Sequence, residues 1–142
     1  MSSPVLVVVV VLVVALAAAA LVGVLLNRRS GRLKAIPLVR VPVYDPAELG
    51  LSSTGPTVLH FSATWCGPCA AVRRVVDQVC DDLVGVAHVE IDMDANPEAA
   101  RRLSVLSLPT TFIFAPDGRQ LYRTAGVPKA ADLRAALEPL LA

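Results

Sequence analysis

The N-terminal part of this 142-residue sequence lacks three kinds of residue, and each absence narrows what the segment can be. No cysteine precedes Cys66, which excludes a lipid-modified cysteine there. No basic side chain lies in Met1–Pro4, where a secretory signal peptide carries its positive n-region. No acidic residue precedes Asp45, so every charge before it is positive. No internal repeat is visible, and one globular domain is the natural expectation for this length.

A long apolar run fills this segment, because residues 5–26 contain only Val, Leu, Ala and Gly. As a helix the run is about 33 Å long, enough to cross a bilayer core of about 30 Å. A cleaved signal peptide is the competing interpretation, and Ala17–Ala20 offers small residues for cleavage. Secretory apolar regions, however, span only about 7–15 residues. We therefore expect residues 1–27 to be an uncleaved transmembrane anchor that contacts lipid through residues 5–26.

A basic segment follows the apolar run and contains no acidic residue; its charges are Arg28, Arg29, Arg32, Lys34 and Arg40. We expect residues 28–40 to be a juxtamembrane linker and residues 41–142 to be the folded domain. Basic residues close to a membrane span favour the cytoplasmic side. The sequence therefore predicts a single-pass protein of the cell membrane with its C-terminal domain in the cytoplasm. An extracytoplasmic domain is the alternative.

The rest of the chain is acidic. From residue 41 onward eight basic residues stand against 12 acidic ones, a net charge of −4. Such a domain lacks the basic surface that nucleic acids require, so nucleic acid is not expected as a partner. About 100 residues are enough to bury a core without a structural disulfide.

Two cysteines in Cys66-Gly67-Pro68-Cys69 have a spacing that suits either a disulfide or a metal site, and the surrounding residues favour the disulfide. The β-prone run Thr57–Ser62 precedes them. A helical pattern over Cys66–Leu83 follows, with its apolar positions at Val72, Val75, Val76, Val79 and Leu83. Cys66 is therefore expected at or just before a helix N-terminus, where a thiolate is favoured. Cys69, one turn inside the helix, is better placed to resolve a mixed disulfide.

The remaining patterns predict a mixed sheet covered by helices on both faces. The predicted elements are an edge strand at 39–43, a helix from Pro46 to about Leu51, a buried strand at 86–91, a helix from Pro97 to Arg102, strands at 111–115 and 120–124, and a helix at 129–141 whose last turn Pro139 interrupts.

The segment Phe61-Ser-Ala-Thr-Trp65-Cys66-Gly67-Pro68-Cys69 resembles the active site of the thioredoxin family. Further motifs follow in the family's order and spacing, from about Val39 to Ala142: Val89-Glu90-Ile91-Asp92, Asn96-Pro97, Ser107-Leu108-Pro109-Thr110-Thr111-Phe112 and Gly126. The resemblance implies a thioredoxin fold behind the N-terminal transmembrane helix. It also implies a protein-disulfide reductase that works by dithiol–disulfide exchange.

The resemblance also implies residue roles. Cys66 would be the nucleophile and Cys69 the resolving cysteine, while the Gly67-Pro68 pair is the combination found in reducing thioredoxins. Trp65 would shield the nucleophile and contact substrate. Pro109 would be a cis-proline facing the disulfide, with the Leu108 backbone pairing with an extended substrate segment. Gly126 would allow the substrate backbone to approach closely.

The two histidines depart from the family pattern, which usually has a buried Asp at the position of His60 and a Lys at that of His88. We hypothesise that His60 takes the proton from Cys69 and that His88 tunes it. A neutral histidine satisfied in the core is the alternative.

Cys80 lies about 16 Å along the helix from Cys69, too far to pair with it, and is expected to act as a buried hydrophobe.

Two classes of function remain open. In the first, disulfide-containing proteins are the substrates, thioredoxin reductase or a membrane thiol carrier is the electron donor, and the Cys66–Cys69 disulfide replaces any cofactor. A dedicated extracytoplasmic thiol donor, for cytochrome maturation for example, is a variant of this class. In the second, Cys66, Cys69, His60 and His88 bind a metal. Histidines on strands beneath the helix would not face outward with the thiols, so we expect no metal site.

Overall fold

A computed structural model describes residues 3–37 and 42–142 and divides the chain into two compact units, residues 1–30 and 31–142. The first unit is one helix, α1 (Ser3–Arg29), whose described side chains are all exposed. This 27-residue helix is long and apolar enough to cross a membrane by length and composition. Arg28 and Arg29 occupy its last turn, where positive charge complements the helix dipole.

The second unit alternates strands and helices. Its elements are β1 (Lys34–Ala35), α2 (Pro46–Leu49), β2 (Thr57–Ser62), α3 (Cys69–Asp82), β3 (Ala87–Asp92), α4 (Pro97–Arg102), β4 (Thr110–Phe114), β5 (Gln120–Ala125) and α5 (Ala130–Leu137), followed by a 3-10 turn, Glu138–Leu140. The strands form one sheet in the order β1-β5-β4-β2-β3. Only β2 and β3 are parallel, so the sheet is mixed, as predicted.

Strand alternation divides the core between the two faces of the sheet. Val58 and Ile113 pack beneath α3 and α5, together with Val72, Val76, Val79, Leu133, Ala136 and Leu137. The opposite face is more aromatic and packs against α2 and α4 through Leu49, Leu59, Phe61, Ala100, Leu103, Phe112 and Phe114. The prediction of helices on both faces is therefore confirmed. His60 follows Val58 by two residues and shares the face beneath α3.

The starts predicted for α2 and α4 are confirmed, and the start predicted for α3 is wrong. Asp45 caps α2 by accepting a hydrogen bond from Ala47 N at 2.9 Å, and α4 begins at Pro97. The helix predicted from Cys66 begins at Cys69 instead. Residues 66–68 form a turn that ends at Pro68, which has no N–H to donate. Cys69 is therefore the first residue of α3 and does not lie one turn inside it.

The remaining bounds shift only slightly, but the prediction of a buried strand at 86–91 is wrong, because β3 lies at the edge of the sheet and is only partly buried. The strand predicted at 39–43 lies largely outside the described residues, although Val43 forms an isolated bridge with Arg119. Within the stretch predicted as the linker, β1 pairs with β5 through Lys34 and Arg123. The last helix ends at Leu137 and continues as the 3-10 turn containing Pro139, in agreement with the predicted interruption.

The buried face beneath α2 and α4 yields a stability prediction. Leu59 is fully buried, so Leu59→Ala should lower the free energy of unfolding by about 2–5 kcal/mol through lost transfer energy and a residual cavity. The control Val84→Ala, at a side chain that is 91% exposed, should change it by less than about 0.5 kcal/mol. Urea denaturation of the full chain in detergent micelles measures both. Equal losses in the two variants would contradict this packing.

Candidate active site

Three strand ends meet at one edge of the sheet. β2 ends at Ser62 and leads into the loop that carries the two cysteines. Pairing of Phe61 with Thr110 places Pro109 beside this end, and pairing of Thr110 with Ala125 brings Gly126 to the same edge. Short strands of fixed register thus bring together residues that are about 60 positions apart in sequence.

The two cysteines form a disulfide with very unequal surroundings. The Sγ atoms of Cys66 and Cys69 are 2.05 Å apart. Cys69 is only 2% exposed, and its Sγ lies 3.9 Å from the carbonyl oxygen of Phe61, whereas Cys66 is half-buried. One sulfur can therefore meet a partner at the surface while the other stays inside.

Trp65 lies immediately before this pair and is 65% exposed. Its Nε1 donates a hydrogen bond to Asp94 Oδ2 at 2.9 Å, which holds the ring beside the loop. Asp94 was not identified from the sequence. Its only signal is its place just after the end of β3, the strand next to β2.

The Leu108–Pro109 peptide bond is cis, as the resemblance implied. Gly126 N donates a hydrogen bond to Pro109 O at 2.9 Å, which ties the end of β5 to this loop. Gly126 has a φ of +88°, a conformation that side-chain-bearing residues rarely adopt. The predicted roles of Leu108, Pro109 and Gly126 in substrate binding remain predictions.

The two histidines lie beneath α3 and contact each other. His60 is fully buried, and its ring meets that of His88 edge to edge, with centroids 5.0 Å apart. His60 Nδ1 is 3.0 Å from His88 Nε2, and His88 Nδ1 is 2.7 Å from Asp77 Oδ1. Asp77 is half exposed, so the chain of contacts runs from the core to the surface.

A second charged group lies on the other side of His60. Glu90 Oε1 is 3.6 Å from His60 Nε2, and Glu90 Oε2 accepts a hydrogen bond from Arg73 Nε at 2.7 Å. Ser62 Oγ donates to Glu90 Oε1 at 2.7 Å. The Arg73 hydrogen bond, with a smaller contribution from Ser62, lowers the pKa of Glu90 to about 2, against the opposing effect of burial. Glu90 is therefore ionised at neutral pH.

Arg73, Asp77 and Glu90 were missed as site residues, because the first two belong to the polar side of an amphipathic helix. A signal was nevertheless present. Cys69, Arg73 and Asp77 follow each other at intervals of four residues, which places them on one side of α3. Glu90 and His88 are two residues apart in β3 and therefore lie on the same face of that strand.

Burial determines the charge of His60. Desolvation lowers the pKa of His60 to about 4, Glu90 opposes this shift, and His88 and Arg73 add to it. His60 is therefore neutral at physiological pH. Among the described residues, Nε2 of His60 and Oγ1 of Thr111 are the buried side-chain atoms without a hydrogen-bond partner.

Cys80, the free thiol, packs at the edge of the core beneath α3 and α5. Burial, with Asp77 and Asp81 adding to it, raises the pKa of Cys80 to about 11. It is thus a protonated thiol near neutral pH.

Across residues 3–37 and 42–142, no group of three or more His, Cys, Asp or Glu side chains has a metal-binding arrangement.

A surface disulfide with one accessible and one buried sulfur, beside a cis-proline loop, defines the class of thiol–disulfide oxidoreductases. A thioredoxin family profile matches residues 48–139. Thioredoxin from Mycolicibacterium smegmatis is 42% identical over 88 residues, 59% of this chain and 78% of the relative. A protein of Mycobacterium leprae named bifunctional thioredoxin reductase/thioredoxin is 41% identical over 86 residues, 59% of this chain but 19% of its own length.

Solved structures agree with the sequence comparison. A mutant thioredoxin from Halobacterium salinarum superposes with a TM-score of 0.59 at 28% identity, covering 67% of this chain and 81% of that one. The chain belongs to the thioredoxin family.

The buried histidine yields a prediction about the pH dependence of stability. An unfolded histidine has a pKa near 6.5, whereas His60 titrates at about 4 in the folded protein. The unfolded state therefore binds more protons between these pH values, and the free energy of unfolding should fall as pH is lowered from about 7 to about 4. His60→Gln should flatten this slope. Denaturant unfolding of the disulfide form across this range tests it, and parallel curves for the two proteins would contradict the assignment.

Proposed function

We propose that this protein is a membrane-anchored thiol–disulfide oxidoreductase that reduces protein disulfides through Cys66 and Cys69. The unequal burial of the two sulfurs is the observation that carries the assignment. A half-buried Cys66 just before the first turn of α3 suits a nucleophile, because positive potential at a helix start favours the thiolate. Cys69, at 2% exposure, suits an intramolecular partner that substrate does not reach.

The reaction runs in two exchanges. The Cys66 thiolate attacks a substrate disulfide, forms a mixed disulfide and releases one substrate sulfur as a thiolate. Cys69 then loses its proton, attacks Cys66 Sγ and releases the second substrate sulfur. Two electrons pass to the substrate, and the Cys66–Cys69 disulfide seen in the structure is the product. We propose His60 as the acceptor of the Cys69 proton. We expect no further cofactor, because the disulfide itself carries the electrons.

We propose that substrate lies across Trp65 and the cis-proline loop. Trp65, 65% exposed, provides apolar surface next to Cys66, and the 93% exposed Leu106 precedes the cis-proline loop in sequence. An extended substrate segment would pair with the Leu108 backbone by β-augmentation, and Gly126 would admit it closely. The expected substrates are disulfide-containing proteins that present such a segment.

We infer that thioredoxin reductase, or a membrane thiol carrier, restores the dithiol. The Mycobacterium leprae relative supports the first donor, since its name joins thioredoxin reductase and thioredoxin in one chain. The compartment of the domain decides between the two donors.

We propose that α1 anchors the protein in the cell membrane with its catalytic domain in the cytoplasm. Support comes from the length and apolar composition of α1 and from the basic residues that follow it, beginning with Arg28 and Arg29. With the domain outside, the protein would instead be a dedicated thiol donor that depends on a membrane carrier.

Replacing Cys66 and replacing Cys69 should block the reaction at different steps. Cys66→Ser should abolish disulfide reduction, whereas Cys69→Ser should retain the first attack and accumulate a mixed disulfide with substrate. Cys80→Ser, the matched control at a thiol of raised pKa, should keep normal activity. Insulin reduction and mass spectrometry of trapped adducts measure these outcomes. Accumulation of the adduct in Cys66→Ser instead would reverse the assigned roles.

Membrane orientation can be read from Cys66 in a Cys80→Ser background. A membrane-impermeant maleimide applied after mild reduction should label Cys66 only in opened cells if the domain is cytoplasmic. Labelling in intact cells would overturn that orientation and favour the extracytoplasmic thiol donor. Recovery of the protein in the soluble fraction, without detergent, would contradict anchoring itself.

A further inference from the structure

We propose that His60 and His88 act as one relayed base for Cys69. In this relay the proton enters at His60 Nε2, and the positive charge comes to rest on His88 beside Asp77. The inference rests on the proposed roles of Cys66 and Cys69 and adds a route for the proton. His60 is the ring that would receive the proton, while His88 and Asp77 are positioning residues.

The contacts of the two rings assign their hydrogens. A carboxylate only accepts hydrogen bonds, so Asp77 Oδ1, 2.7 Å away, requires the hydrogen of His88 on Nδ1. In a neutral His88, Nε2 is then an acceptor. The 3.0 Å contact to His60 is therefore made by the Nδ1–H of His60. Nε2 of the neutral His60 carries a lone pair, is buried and has no hydrogen-bond partner among the residues that the structure describes.

The free nitrogen of His60 lies on the side of the active-site loop. In the sheet His88 lies opposite Val58, and Glu90 lies opposite His60, two residues closer to the loop. His60 Nδ1 contacts His88 and Nε2 faces Glu90, so Nε2 is the nitrogen on the loop side. From there β2 runs on to Phe61, whose carbonyl oxygen is 3.9 Å from Cys69 Sγ. The relay requires the Cys69 thiol, once released by disulfide cleavage, to reach Nε2 directly or through one water molecule.

His60 alone would be a poor base, because burial lowers its pKa to about 4. The relay removes this difficulty. When Nε2 takes the thiol proton, Nδ1 passes its own proton to His88 Nε2, and His60 ends neutral. His88 becomes the imidazolium, which is partly exposed and faces the carboxylate of Asp77. The charge thus moves from a buried ring to a paired one near solvent.

The resolving step balances with this relay. The Cys69 S–H bond breaks and a His60 Nε2–H bond forms, while the Nδ1 proton moves to His88. The Cys69 thiolate then attacks Cys66 Sγ, which forms the disulfide and expels the substrate thiolate with the electron pair. His88 Nε2 then returns this proton to His60 Nδ1 while His60 Nε2 gives the proton from Cys69 to water, which restores the hydrogens assigned above. When a reductase restores the dithiol, the same hops in reverse return a proton to Cys69.

The other charged neighbours do not provide an equivalent path. Glu90 faces His60 Nε2, but the hydrogen bonds from Arg73 and Ser62 hold it ionised, so it acts as a fixed negative charge. Across the sheet His60 pairs with the uncharged Thr111 of β4, and the residues of α5 that pack on this face are apolar. Asp77 is the carboxylate joined to the histidine pair by a hydrogen bond.

Kinetics of the resolving step test the relay in the full chain in detergent, with Cys80→Ser as background. An aromatic disulfide that releases a coloured thiol gives two phases: attack by Cys66, then release by Cys69. Near pH 7, His60→Gln and His88→Gln should each slow the second phase about 100-fold, and the double variant should be no slower than either. Asp77→Asn should slow it about tenfold and shift its pH profile to lower pH, because His88 loses its counter-charge.

Asp81→Asn is the matched control, since it removes the same charge from an exposed position of the same helix and should leave both phases unchanged. Nitrogen-15 NMR reports which ring nitrogens of the histidines carry a hydrogen, a property that a purely structural role of these residues would not change. With two histidines in the chain, four ring nitrogens are observed. In the reduced protein above pH 8, the unprotonated signal of His60 should be Nε2, and Asp77→Asn should alter the His88 signals.

The outcomes separate this inference from the proposed function. A normal first phase with a second phase insensitive to His88→Gln and Asp77→Asn would overturn the relay alone. A hydrogen on His60 Nε2 in the reduced protein above pH 8 would also overturn it. Loss of the first phase in the parent protein would overturn both, because the relay has no role without attack by Cys66.

Discussion

Burial of Cys69 at the start of α3, against the end of β2, is the contact on which the rest of the active site depends. It requires α3 to lie across the sheet with Val72, Val76 and Val79 in the core, so that the helix cannot slide without exposing them. Cys66 is thereby held just outside the helix, at the sheet edge. The chemical difference between the two thiols is thus a consequence of packing and follows from where one helix begins.

The same packing sets the electrostatics beneath the disulfide. Where the family usually has a buried Asp and a Lys, this chain has two histidines, His60 and His88, whose rings can be neutral. A buried acid can exchange a proton by itself, whereas a buried imidazole resists taking a second proton because its cation is desolvated. The hydrogen bond to His88 and the outer carboxylate of Asp77 offer that charge a better-solvated position. An altered pair of residues is therefore compatible with the same chemistry.

Most of the fold could be predicted from the sequence. The β-prone run Thr57–Ser62 predicted β2, all of whose residues are buried, and the spacing of the valines of α3 predicted which side of that helix faces the core. The start of α3 was misplaced because a turn stabilised by Pro68 precedes it, and hydrophobic periodicity does not report turns. The sequence pattern places Asp77 and Glu90 on particular faces, but their contact partners and that of Asp94 could not be predicted, since each contact depends on how two separate elements pack.

Selective alkylation of the reduced protein tests the central claim most directly. Iodoacetamide at neutral pH, followed by peptide mass spectrometry, should modify Cys66 and leave Cys69 and Cys80 largely unmodified. Cys69 is buried at the start of α3, and Cys80 holds its proton near neutral pH. Equal modification of Cys66 and Cys69, or faster modification of Cys69, would contradict an active site whose two sulfurs are distinguished by burial.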